Sequence, residues 1–94
     1  MFIEPDRLES RLREEFGGGS SESRVVVRQA VDLADSCLYV DDVGSPLTND
    51  VVIEELSDAR EGTPAARWNW WIGSLDVAFG HYHQFSVRRY PYDR

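Results

Sequence analysis

The stretch RWNWWIGSLDVAFGHYHQFSVRRYP, residues 67–91, holds all three tryptophans and both histidines of a 94-residue chain. Charged residues make up 29% of the chain, yet between Trp68 and Val87 there is only Asp76. On a helical wheel, Trp68, Trp71, Ile72, Leu75, Phe79 and Tyr82 fall within a sector of about 120°, the width of an ordinary core stripe. The opposite side carries Trp70, Gly73, Val77, Gly80, His81 and Gln84, none with a fixed charge. A solvated helix back in an acidic protein carries Asp and Glu. This pattern therefore predicts a helix covered on both faces, either central to a bundle or buried across a dimer interface. Gly73 and Gly80 lie two turns apart on the same side. Each costs about 1 kcal/mol relative to alanine in a helix interior, which predicts close backbone approach at these positions, with a kink at Gly80 as the alternative. These six residues are the candidate interface, and a second copy of the chain is the expected partner.

Outward from this stretch, the chain reads as helices. EGTP at 61–64 ends one helix and starts the next, with Thr63 as N-cap and Pro64 at the first helical position. The aromatic helix then runs towards Pro91, which cannot continue it easily. Upstream, Thr48 reads as an N-cap with Leu47 and Val52 as a hydrophobic staple. The helix that follows, over about 49–60, turns Val52, Leu56 and Ala59 inward. DDVGSPLTND at 41–50 reads as a loop. From about Ser23 to Tyr39, Val26, Val27, Ala30, Val31, Leu33, Ala34, Cys37 and Leu38 share one broad arc, opposite Arg24, Arg28, Asp32 and Asp35. GGGSSES at 17–23 reads as a flexible connector. Before it, Leu8, Leu12 and Phe16 form a narrow stripe on a helix over 7–16, with Asp6 and Glu9 placed as a capping box. The fold class is all-α: one domain, a small helical bundle of three main helices plus a short N-terminal helix, with the long aromatic C-terminal helix central.

Composition bounds the environment. The net charge is −7, and all ten basic residues are arginine. Acidic, lysine-free and valine-rich, the composition resembles that of cytoplasmic proteins of salt-in halophilic archaea. High negative charge keeps a protein soluble in molar salt but repels itself where screening is weak. One cysteine, Cys37, allows no intrachain disulfide. The N-terminus lacks the basic and apolar regions of a signal peptide, and cytoplasmic localisation is expected. Residues 68–87 match a membrane span in length, but Asn69, Asp76, His81, His83 and Gln84 make them too polar to cross a membrane.

Candidate chemistry is sparse. His81 and His83 point about 200° apart on a helix, so no metal site is expected. Cys37 reads as a small buried hydrophobe. No catalytic triad, phosphate loop or nucleotide fingerprint is present, and no cofactor is expected. Asp32 and Asp35 in DLAD, with Glu55 and Asp58 in EELSD, form paired carboxylates on consecutive helices, which can hold Mg²⁺. Their spacing is similar to that of the all-α NTP pyrophosphohydrolases, with aspartates where that family's first motif has glutamates. The resemblance implies Mg²⁺-dependent nucleotide hydrolysis as the alternative function. Against it, Asp32 and Asp35 lie opposite the apolar arc. A nucleic-acid partner is disfavoured. The loop of about ten residues exceeds a helix-turn-helix turn, no helix has a basic face, and Arg88, Arg89 and Arg94 read as a solvated tail. The function expected is protein–protein contact by a small acidic, salt-adapted helical protein, without catalysis.

Overall fold

The computed structural model describes residues 3–88, and every regular element in them is helical: α1 Pro5–Phe16, α2 Ser20–Asp35, α3 Leu38–Val43, α4 Asn49–Ser57 and α5 Pro64–Phe79, followed by a 3₁₀ turn at His83–Phe85. α1 packs on α2 and α4, and α5 closes the bundle against the same two helices. One contiguous core joins Leu8 and Leu12, Val26, Ala30 and Leu33, Val52 and Leu56, and Trp68, Ile72 and Leu75. No helix among the described residues is long and apolar enough to cross a membrane.

Local signals placed the starts of α4 and α5. The Thr48 side chain accepts from Val51 N–H at 3.2 Å, and that of Thr63 from Ala66 N–H at 3.4 Å. Each satisfies one of the four N–H groups that a helix start leaves without a partner. Leu47 and Val52 are both buried, as a staple requires. The start of α1 differs from expectation. Pro5 takes the first turn, Glu4 is the N-cap with no side-chain bond, and the Asp6–Glu9 capping box does not form. The Asn49 amide instead holds the Glu4 backbone from 45 residues away: Glu4 N–H donates to Asn49 Oδ1 at 3.0 Å and Asn49 Nδ2 donates to Glu4 C=O at 3.1 Å.

Further expectations are corrected. The connector shrinks to Gly17–Gly19, because Ser20–Ser23 form the first turn of α2. Glu22 is buried there, and its Oε2 accepts from Ala65 N–H at 2.8 Å. A carboxylate is thereby set against the positive end of the α5 dipole. The second helix stops at Asp35 rather than Tyr39. Ser36 Oγ donates to Leu33 C=O and accepts from Leu38 N–H, and Cys37 adopts the left-handed conformation with φ 63°. The chain turns there, α3 takes Leu38 and Tyr39 from the expected second helix and Asp41, Asp42 and Val43 from the expected loop, and Tyr39 is brought edge-on to Trp71 with ring centroids 5.9 Å apart. Cys37, expected in the core, is left exposed. The aromatic helix ends at Phe79, well short of Pro91. Gly80 has φ 80° and donates its N–H to Asp76 C=O.

Candidate interaction surface

The tetrad at 68–71 divides its labour by direction. Trp68 is fully buried, stacks edge-on against Trp71 at 5.4 Å, and donates its indole N–H to Phe85 C=O at 2.8 Å. Asn69 grips Val87 on both sides: its Oδ1 accepts from Val87 N–H at 2.7 Å, and its Nδ2 donates to Val87 C=O at 2.8 Å. Trp71 is buried between Tyr39 and Trp68. Trp70, by contrast, is 48% exposed. Of the three tryptophans, Trp70 alone leaves about half of its surface exposed.

Asp76, the lone charge of the aromatic stretch, has a backbone role. Its Oδ1 accepts from Tyr82 N–H at 3.0 Å and from His83 N–H at 3.2 Å. The carboxylate thus folds the chain back after Gly80 and returns Tyr82 to the core. Tyr82 is fully buried, as the stripe predicted, though it arrives through this turn rather than along a helix. Its hydroxyl donates to Asp42 Oδ2 at 2.9 Å. Burial pushes the phenol pKa upward, and the hydrogen bond to Asp42, that carboxylate's charge and Tyr39 push the same way. Tyr39 is raised by burial and then by the Glu55 carboxylate. Glu55 is raised by burial, then by Asp58 and Glu54, against a lowering hydrogen bond from the Trp71 side chain.

Sequence reasoning missed Arg67. Its guanidinium donates to Leu56 and Ala59 carbonyls at 3.0 and 2.7 Å and to Gly62 at 2.7 Å, and lies 4.5 Å from the centre of the Phe16 ring. One side chain satisfies carbonyls at and beyond the α4 C-terminus and ties α1 to α5. An arginine at the first turn of a helix carries no signal for this, because its acceptors come from another element.

The back of α5 is uncovered. Ala66, Trp70, Gly73, Ser74 and Val77 follow one another at helical spacing, all exposed and all uncharged, with Val77 at 89%. His81 and Gln84 are exposed and Gly80 is half-buried, beyond the helix end. The six predicted residues therefore form a helical part (Trp70, Gly73, Val77) and a turn part (Gly80, His81, Gln84). No other element of the described chain covers the helical part. A Cβ placed on Gly73 meets nothing within 4 Å, so the close approach expected there is not made within one copy. At its upper end, Trp70 borders a shallow cleft with Asp58, Ala59, Arg60 and Glu61. Phe79, expected in the core, is 45% exposed beside Tyr82, because the helix ends there and the turn takes the inner place.

The other candidates stay apart. Asp32, Asp35 and Asp58 are exposed and Glu55 is half-buried, and among the described residues no three His, Cys, Asp or Glu side chains converge as metal ligands do. His83 Nε2 pairs instead with the Arg88 guanidinium at 2.7 Å. Arg89 and Arg94 of the C-terminal basic cluster, with Pro91, lie outside the described residues.

A family model described as a WNWW domain matches residues 1–76, and its description spells residues 68–71 of this chain. No curated protein and no solved structure matches the chain.

Proposed function

The chain belongs to the WNWW domain family, and from that premise we propose that it is a salt-adapted interaction module that pairs with a second copy of itself through the back of α5. The observation that carries the reading is Trp70, 48% exposed on a helix face that also shows Val77 and has no charge. A partner recognised by charge gains nothing from such a face. A partner recognised by burial and shape does, and an identical uncharged face is one such partner. In a two-fold arrangement each face meets itself, so one self-complementary patch suffices. Gly73 and Ser74 allow two helices close approach, and Trp70 of each copy is the buried anchor, since a few aromatic side chains near the centre of an interface carry most of its binding energy. High salt favours the contact twice: it screens repulsion between two chains of charge −7, and kosmotropic salts strengthen apolar burial. A single helix face is smaller than the roughly 800 Å² per partner of a standard interface, so the dimer is expected to dissociate on dilution.

Light scattering coupled to size exclusion in molar KCl tests the pairing. The expected mass is twice that of one 10.8 kDa chain at hundreds of micromolar, falling on dilution. Val77→Glu should give single-chain mass at every concentration with unchanged helix content. Single-chain mass for the unmodified protein at the highest concentration overturns the proposal.

A further inference from the structure

After Gly80 the chain returns along α5 in the opposite direction. The N–H groups of Tyr82 and His83 meet Asp76, and both polar groups of Val87 meet Asn69. That is seven helical residues, about 10 Å, towards the start of α5. Arg88 is exposed there, and Arg89, Tyr90, Pro91, Tyr92, Asp93 and Arg94 follow it, outside the described residues. At about 100° per residue, Ala66 lies about 60° round the helix from Asn69, Trp70 about 100° and Arg67 about 160°, all in one sense of rotation. In the other sense stand Ala65, Ile72 and Trp68, all buried. The open way from Val87 leads over exposed Ala66 to Trp70. Arg67 donates to the Leu56, Ala59 and Gly62 carbonyls, which sets the end of α4 just past Trp70. There Asp58, Ala59, Arg60 and Glu61 line a cleft whose near wall is Trp70. Among the described residues, neither Asp58 nor Glu61 has an ion-pair partner.

Reach and charge fit residues 89–94 to this path. A segment lying on a helix runs about 10 Å from its axis, so the arc from Asn69 to Trp70 is about 17 Å. Arg88–Tyr92, five residues at about 3.4 Å each, span the same length. Two residues further, Arg94 arrives at Asp58 and Glu61. In extended backbone Tyr90, Tyr92 and Arg94 share one face and Asp93 takes the other. A proline favours extended backbone at the residue before it, here Tyr90. The cleft carries two carboxylates and one guanidinium, and the segment two guanidiniums and one side-chain carboxylate. From these observations we propose that residues 89–94 seat across α5 of their own chain, with Tyr90 over Ala66, Tyr92 on the Trp70 indole and Arg94 at Asp58 and Glu61. The aromatic contact persists in molar salt, where exposed ion pairs are screened. The consequence for assembly rests on the α5 pairing described above. Trp70 does not stack on Tyr92 and anchor a second copy at once, so the seat opposes pairing.

The seat is tested on the full chain in molar KCl, diluted until light scattering gives single-chain mass. Nuclear Overhauser cross-peaks between the Tyr92 and Trp70 rings are the expected result, and their absence overturns the seat. Cross-peaks that arise only where the mass is two chains assign Tyr92 to a second copy and overturn seating within one chain. The effect on pairing is read from the double variant Tyr90→Ser, Tyr92→Ser. Each copy must release its segment to pair, so a seat occupied about two-thirds of the time raises the apparent dissociation constant about ninefold. The variant should pair more tightly by that factor, and a constant unchanged within about twofold overturns the opposition to pairing. Single-chain mass for both proteins at the highest concentration, with the ring contacts present, refutes the α5 pairing and leaves the seat standing.

Discussion

Trp68→Phe isolates what the first letter of the tetrad contributes. The indole is fully buried, and its N–H donates to Phe85 C=O at 2.8 Å in a buried setting. Phenylalanine keeps one ring in place and loses both the donor and part of the volume. A buried carbonyl left without its partner costs about 1–3 kcal/mol. A residual void of roughly 30–40 Å³ adds about 1 kcal/mol at about 24 cal/mol per Å³, with the lost transfer of the removed atoms on top. The expected loss is about 3 kcal/mol. For a domain of this size that lowers Tm by roughly 12–24 °C, at about 4–8 °C per kcal/mol. A fold of ordinary stability, about 5–15 kcal/mol, survives this at 25 °C. Urea unfolding followed by far-ultraviolet circular dichroism in molar KCl measures it. The midpoint should fall with the slope unchanged, because the area exposed on unfolding is nearly the same. Trp70→Phe is the control. Its ring is half exposed, and the change should stay within about 0.5 kcal/mol for the monomer. A Trp68→Phe loss below about 1 kcal/mol, or an equal loss at Trp70, refutes the division of labour within the tetrad.

Other outcomes follow from particular residues and from the net charge. Tyr82 has a folded-state pKa raised by burial and by Asp42. The stability it contributes is therefore complete below the unfolded tyrosine value of about 10 and is lost as pH rises above it. Thermal melts from pH 8 to 11 should show this decline, reduced in Tyr82→Phe, and an identical decline in the variant rejects the assignment. Gly18→Ala places a Cβ at φ +84°, 2.9 Å from Glu22 Oε1 and 3.0 Å from Pro64 Cδ, and should cost at least 1 kcal/mol. Gly73→Ala meets open space in a helix and should gain up to about 1 kcal/mol for the monomer; denaturant midpoints moving in the same direction for both would contradict the geometry. With a charge of −7, the fold should weaken as KCl falls from molar to about 10 mM, since the Debye length grows from about 3 to about 30 Å. A melting temperature indifferent to salt removes the halophilic reading.

Local chemistry was legible in the residues themselves. The apolar spacing of Leu8 and Leu12, of Val26, Ala30 and Leu33, and of Trp68, Trp71, Ile72 and Leu75 marks faces that are buried in the structure. Thr48 and Thr63 cap the helices that they announce, because a cap depends on residues two or three positions away. The uncharged back of α5 was likewise visible as a gap in a charge pattern. What could not be read there depends on groups brought together from far along the chain. Glu22 sits in a Gly/Ser-rich stretch that looks like a linker, and it is buried because the α5 N-terminus arrives 43 residues later to meet its carboxylate. Cys37 belongs to an apolar arc only if the helix continues; the Ser36 bonds and the left-handed turn send α3 elsewhere, and the thiol faces out. Asn69 and Asp76 look like incidental polar residues on an aromatic helix until the segment after Gly80 folds back and presents its main chain to them. Periodicity records which side of a helix avoids water. Only the tertiary structure decides which distant N–H and C=O groups a buried polar side chain satisfies, because that depends on where the chain returns.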